Sequence, residues 1–241
     1  MEEAFDLANH LPLSYKTPTE EQYIAFLWDT FETNYTHGKY QFAFLAYHML
    51  AMSSIYFNIW QIKKSLPDQF AVALVGFNKD MEKFLLDAIS PFAFSRIQES
   101  TILRFLKLIS CGNDHIGKCA KLVEYRNNTA HANGNIFLNT EEALDYKIRE
   151  VLAVVGEIQS NSTPLVLSCY KTFLLNSYDL DTRNYMNDSD QIREVLIHEN
   201  YFSQADIDVC KQFDLSELNE HSNFMEIHSL HWVLTQDYRS D

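Results

Sequence analysis

Apolar residues recur three and four apart along most of this chain, and that spacing predicts helices. Tyr23, Phe26, Leu27, Thr30 and Phe31 share one stripe, with Thr19 as N-cap, Gln22 three residues later as its capping-box partner, and His37-Gly38 as the stop. Tyr40 to Ile62 carries no Asp, Glu, Lys or Arg and reads as a helix buried on most sides, running to about Ser65 before Leu66-Pro67-Asp68 breaks it. A third helix is expected from Asp68 to about Ile89, striped by Phe77, Met81, Phe84, Leu85 and Ala88, and a fourth from Glu99 to Ser110. After the turn Cys111-Gly112-Asn113, Asp114 is expected to cap a helix through Ile116, Ala120, Val123 and Tyr125, ending at Asn133-Gly134. Thr140 then opens a long amphipathic helix to about Gln159, and Pro164 opens a shorter one ending near Leu175.

Residues 1–18 read as an irregular arm with stops at Pro12 and Pro18. Short helices are expected over Asp190–Asn200, Gln204–Phe213 and Phe224–Leu234, with Ile227–Thr235 as an alternative strand. Only 6 Gly and 5 Pro punctuate the chain, which favours long helices and short connections. The fold class is therefore all-α. A helical bundle over residues 1–176 is followed by a mostly helical C-terminal region, 177–241.

Charge refines this division. The chain carries a net −14. Residues 94–131 hold six basic side chains (Arg96, Arg104, Lys107, Lys118, Lys121, Arg126) and three acidic ones (Glu99, Asp114, Glu124), a net of +3 that leaves −17 elsewhere. Residues 177–241 hold 14 acidic and 4 basic side chains, net −10. The acidic balance argues against a dedicated nucleic-acid binder; the local positive field is what a phosphate-handling site would need, and charge alone favours the alternative of a helix with ordinary solvated charges. The acidic tail is expected to cover or compete for the basic segment.

The uncharged run 40–62 is long enough to span a bilayer, but Gln41, His48, Ser53, Ser54, Asn58 and Gln61 argue for a protein core instead. The acidic N-terminus has no basic and apolar leader pattern, and the four cysteines include no CxxC pair. A cytoplasmic, reducing location is expected, with buried thiols.

The candidate chemistry lies in Glu124–Gly134, where Arg126, Asn127 and His131 fall near a helix end. Cleaving RNA without a metal requires a group to take the 2′-OH proton, one to protonate the leaving 5′ oxygen, and one to stabilise the charged phosphorane. Histidine suits the proton transfers, arginine the phosphate, and an amide can orient either. At about 100° per residue Asn127 and His131 share a face, while Arg126 lies about 140° from His131. One copy is thus a poor site, and two copies with Arg126 reaching across make a better one. Lys118, Lys121 and Arg104 are candidate RNA-phosphate contacts.

This stretch resembles the Arg-x4–6-His signature of HEPN domains, in which a polar residue, often Asn, follows the Arg. The resemblance covers residues 19–176 and extends to the apolar helix leading in and the long helix following. It implies a dimerising helical bundle and a metal-independent endoribonuclease of the toxin or antiviral-defence kind. Arg126 and His131 would be its catalytic pair and Asn127 the support. Partners would be a second copy, RNA, and an antitoxin or regulatory protein, with no membrane, metal or cofactor. Asn133 stands where one toxin branch carries a modified Tyr, so that regulation is not implied. The alternative is a non-catalytic helical module that binds a partner protein or a nucleotide.

His228 and His231 beside His221 and Glu226 could meet a metal on one helical face, but no third ligand at an obvious spacing completes a site. His48 and His115 read as core or capping residues. No glycine-rich phosphate loop or nucleophile elbow is present.

Overall fold

The structure is a computed structural model that describes residues 1–131 and 134–238. It is all-helical. Outside helices the described residues make only two isolated backbone bridges, Pro12 with Ser203 and Val75 with Phe77.

Helix α1 (Pro18–Thr36) starts two residues earlier than its stripe suggests. Thr17 is the N-cap, Glu20 closes the capping box, and Pro18, expected as a stop, takes the first helical position. Proline suits that position because its missing N–H is unneeded there and its φ is already helical. Gly38, with φ +66°, turns the chain into α2 (Tyr40–Ser65), the central helix. Every residue from Leu50 to Ile62 is buried. By length and composition α2 could cross a membrane, yet 83% of its most apolar window is buried against the rest of the chain.

The expected helix over 68–89 is broken into α3 (Pro67–Ala73) and α4 (Lys79–Leu86). Gly76 at φ +106° turns the chain between them, and Asn78 caps α4 by accepting from the Met81 N–H at 2.9 Å. A 3-10 turn spans Pro91–Arg96. The stretch 99–110 forms a single α turn, α5 (Glu99–Ile102), and then a 3-10 segment that the left-handed Ser110 (φ 65°) ends. Helix α6 (Asn113–Ala130) stops short of Gly134.

Helix α7 (Glu141–Ser177) departs most from expectation. The two helices expected around Pro164 are one. An internal proline costs about 3 kcal/mol, having no N–H to give and crowding the previous turn. Burial on both sides offsets that cost: Val151, Val155 and Ile158 before it, Leu165, Val166, Tyr170 and Leu174 after it. The apolar core divides at the same place. One cluster runs through α1, α2, α6 and α7 as far as Leu165, and a second begins at Val166.

The second cluster packs the end of α7 against α8 (Asp188–Gln191), the π-helical turns Ile192–His198, α9 (Gln204–Lys211) and α10 (Phe224–Asp237). Ile227–Thr235 is helix, not strand. The N-terminal arm is ordered too. Glu2–His10 is a 3-10 helix that buries Ala4 and Leu7, and the Leu13 N–H donates to the Phe202 carbonyl at 2.9 Å.

Tyr201 and Asp206 fasten the C-terminal region to the first core. The Tyr201 hydroxyl donates to the buried Glu20 carboxylate at 3.0 Å. Asp206 accepts from Gln61 at 3.0 Å, Gln159 at 2.8 Å, and the Ser203 backbone and hydroxyl at 2.9 Å each. Removing this carboxylate leaves several buried donors without acceptors. Asp206→Ala is therefore expected to lose about 2–4 kcal/mol in urea unfolding, against less than about 0.5 kcal/mol for the exposed Glu32→Ala. Equal midpoints for the two variants would show that this network contributes nothing.

Candidate functional site

Arg126 lies just before the last turn of α6. Its Nη2 approaches Glu99 Oε2 at 2.5 Å, at the start of α5. The same oxygen faces His48 Nε2 at 3.3 Å, and His48 is a buried residue of α2. Edge-on packing of Phe44 against Tyr125, 5.3 Å between centroids, seats α6 on α2 and brings these groups together. Burial pushes the Glu99 carboxyl up. The hydrogen bonds and charges of His48 and Arg126 outweigh it and hold Glu99 below the usual carboxylate range. Arg126 Nε is buried without an acceptor.

Arg126 and Glu99 border a cleft of about 820 Å³, walled by Tyr23, Met49, Met52, Tyr56 and Phe92, with His48 behind Glu99. Glu20 also borders it, but its carboxylate is taken up by Ser90 at 2.6 Å and Tyr201. Burial and the nearby Glu99 charge raise the Tyr56 hydroxyl, which keeps it a phenol.

The remaining motif residues sit apart from Arg126. His131 is the C-cap of α6: its backbone is extended (φ −81°, ψ 147°), its N–H donates to the Asn127 carbonyl at 3.1 Å, and its ring is exposed. It has left the helix, so the helical projection that aligned it with Asn127 does not apply. Asn127 is half-buried. No hydrogen bond or ion pair joins Arg126 to His131 among the described residues. Gln41 of α2 fixes both flanks of this segment, donating to the Thr129 carbonyl and accepting from the Phe137 N–H, each at 3.0 Å. Asn133, two residues after the His, lies outside the described residues.

The other basic candidates face elsewhere. Lys118 and Lys121 border a cleft of about 400 Å³ between α6 and α7, where Lys118 is paired with Glu157. Arg104 borders a cavity of about 240 Å³ with Phe77 and Phe105. The C-terminal region meets the rest of the chain through Ser14, Lys16, Glu20, Gln61, Lys64 and Gln159, at the end of α2 away from Arg126. Arg96 stacks on Phe84, 4.3 Å from the ring centroid. The expected tail-over-basic-segment arrangement is therefore absent among the described contacts, because the basic residues are dispersed over several faces, two of them (Lys118 and Arg126) paired with nearby glutamates.

Neither Glu99 nor the cleft stood out from the sequence. One signal was available. A histidine in the charge-free run 40–62, once buried, needs a partner from elsewhere in the chain.

His231 Nδ1 meets the Tyr170 hydroxyl at 2.9 Å, and burial, with His228 nearby, lowers its pKa. Among the described residues no group of three His, Cys, Asp or Glu could hold a metal. Burial raises all four free thiols, Cys119 to about 12 and Cys111 and Cys169 to about 11. They stay protonated and slow as nucleophiles at neutral pH. A thiol-disulfide reagent should react slowly with the native protein at neutral pH and rapidly with four thiols after unfolding; one fast native thiol would contradict this assignment.

Glu99 sets a pH dependence. A depressed carboxyl contributes stability above its unfolded pKa of about 4.3 and loses it as pH falls through the folded value. Glu99→Gln should cost about 1–2 kcal/mol at neutral pH, constant down to about pH 5 and shrinking below it. Denaturant titrations at about pH 7, 5 and 3.5 measure this. A difference that grows toward low pH would reverse the sign.

Comparison with known proteins gives no match to a protein-family model, a curated protein or a solved structure.

Proposed function

We propose that this chain is a metal-independent endoribonuclease of the HEPN type, active as a dimer. The observation that carries the reading is the end of α6: Arg126 at the lip of a cleft, and His131 exposed just past the helix. A phosphodiester reaching this end meets a guanidinium matched to its oxygens and an imidazole free to exchange protons. The two side chains do not meet within one chain, so the reading requires a second copy to complete each site. Glu99 holds Arg126 in the free chain, and RNA would have to compete with that carboxylate. The toxin or antiviral-effector role, and a regulatory partner such as an antitoxin, rest on the resemblance of the Arg126–His131 stretch alone.

A second reading is favoured by one observation. The grip on Arg126 of Glu99, itself held by buried His48, is what a structural arginine would show, and the chain would then be a non-catalytic helical module that binds a partner protein or a nucleotide.

One assay separates them. In EDTA, with mixed single-stranded RNA, the enzyme reading expects products ending in 2′,3′-cyclic phosphate and a loss of about 10²-fold or more in His131→Ala. Light scattering should give a dimer at the assay concentration. Equal cleavage by wild type and variant removes His131 from the mechanism, and no cleavage by a dimeric wild type favours the module.

A further inference from the structure

The cleft in front of Arg126 has the makings of a small-molecule site. Its volume of about 820 Å³ lies in the range that one small organic ligand fills. The wall is rings and thioethers, with Tyr23 and Phe92 meeting edge to face at 5.1 Å. Its serine hydroxyls are turned onto the protein: Ser53 donates to the Met49 carbonyl, Ser90 to Glu20 and Ser95 to the Phe92 carbonyl. Most of a guest would touch apolar surface.

Arg126 is the one cation among the described residues that line the cleft. A guanidinium carries five N–H donors. Here Nη2 meets Glu99 and no other described residue accepts from this side chain; Nε is itself buried, so the donors left for a guest are those of the two Nη groups. A half-buried cation with spare donors beside an apolar cleft selects an anionic acceptor. The neighbouring carboxylates limit how much charge it can carry. Glu99 and Glu20 both border the cleft, so two negative charges already oppose the single positive one. A dianion meets that opposition twice over and a monoanion once, so the guanidinium's hydrogen bonds can hold a monoanion more readily than a dianion.

We infer that this cleft binds an amphipathic monoanion, a small carboxylate with an aromatic body, held by Arg126 and packed against Tyr23, Met49 and Phe92. The inference stands apart from the ribonuclease reading. The two intersect at Arg126, where such a ligand would compete with a phosphodiester, also a monoanion.

Calorimetric titration of the full chain at neutral pH with 4-phenylbutyrate, its neutral amide and phenyl phosphate tests this. The carboxylate should bind saturably, in roughly the millimolar range or tighter. It should bind about tenfold or more tighter than the amide, and tighter than phenyl phosphate. Arg126→Gln should reduce the carboxylate to the amide's affinity, with Arg126→Lys between them. Met49→Trp, which narrows the cleft mouth, should weaken carboxylate and amide together. Should Arg126→Gln fail to fold, the amide and phosphate comparisons on the wild type still decide. Absence of saturable binding, equal affinity for carboxylate and amide, tightest binding of the phosphate, or indifference to Met49→Trp would each overturn the inference.

Discussion

Burying α2 from Leu50 to Ile62 without a break takes its polar side chains out of water; Ser53 and Ser54 turn back onto carbonyls of their own helix, while Asn58 and Gln61 find partners on other elements. Those partners hold the structure together. Asn58 accepts from Ser162 at 2.9 Å and ties α2 to α7. Gln61 reaches Asp206 and Tyr201 and ties it to the C-terminal region. His48 meets Glu99, which in turn holds Arg126, so the candidate site is anchored to the same helix. The polar positions that make the segment unsuited to face lipid are the ones through which the rest of the chain is attached. Each such bond contributes about 1 kcal/mol net, but losing one partner exposes the full desolvation cost of the other.

The long helices were legible because their apolar stripes have helical period, and α1, α2 and α6 fall where the stripes lie. What failed was local. Thr17 and Thr19 are both credible caps, and Pro18 between them settles the choice by fitting the first helical position. Pro164 looked like a boundary because a proline's cost is visible in sequence, while the burial of Leu165, Val166 and Tyr170 that offsets it is not. The break at Gly76 interrupts a segment whose apolar residues still recur three and four apart, so period alone cannot find it. Arg126 was legible as chemistry. Its partners Glu99 and His48 were not, since their pairing comes from three helices meeting.

Charge counting shows the same limit. The net positive window 94–131 is real as a sum but disperses in space. Lys118 is neutralised by Glu157 and Arg126 by Glu99, and Arg104 faces a different cavity. Similarly, the acidic C-terminal region is not a detached screen. It shares α7 with the rest of the fold and reaches the first core through Tyr201 and Asp206. Position in three dimensions, not net charge along the chain, decides which cations a phosphate could meet.

Gln41 carries one more implication. Its amide nitrogen serves the end of α6 at Thr129, and its oxygen serves the chain entering α7 at Phe137. The two ends of this side chain thus have opposite demands, one for a donor and one for an acceptor. Glutamate would supply only acceptors, lysine only donors, and asparagine is a methylene shorter. The segment that carries His131 is therefore suspended from a group with a fixed polarity, and the same three-carbon amide must satisfy both sides at once. Position 41 is thus constrained to a side chain that donates and accepts at this reach, even though it touches no candidate reacting group.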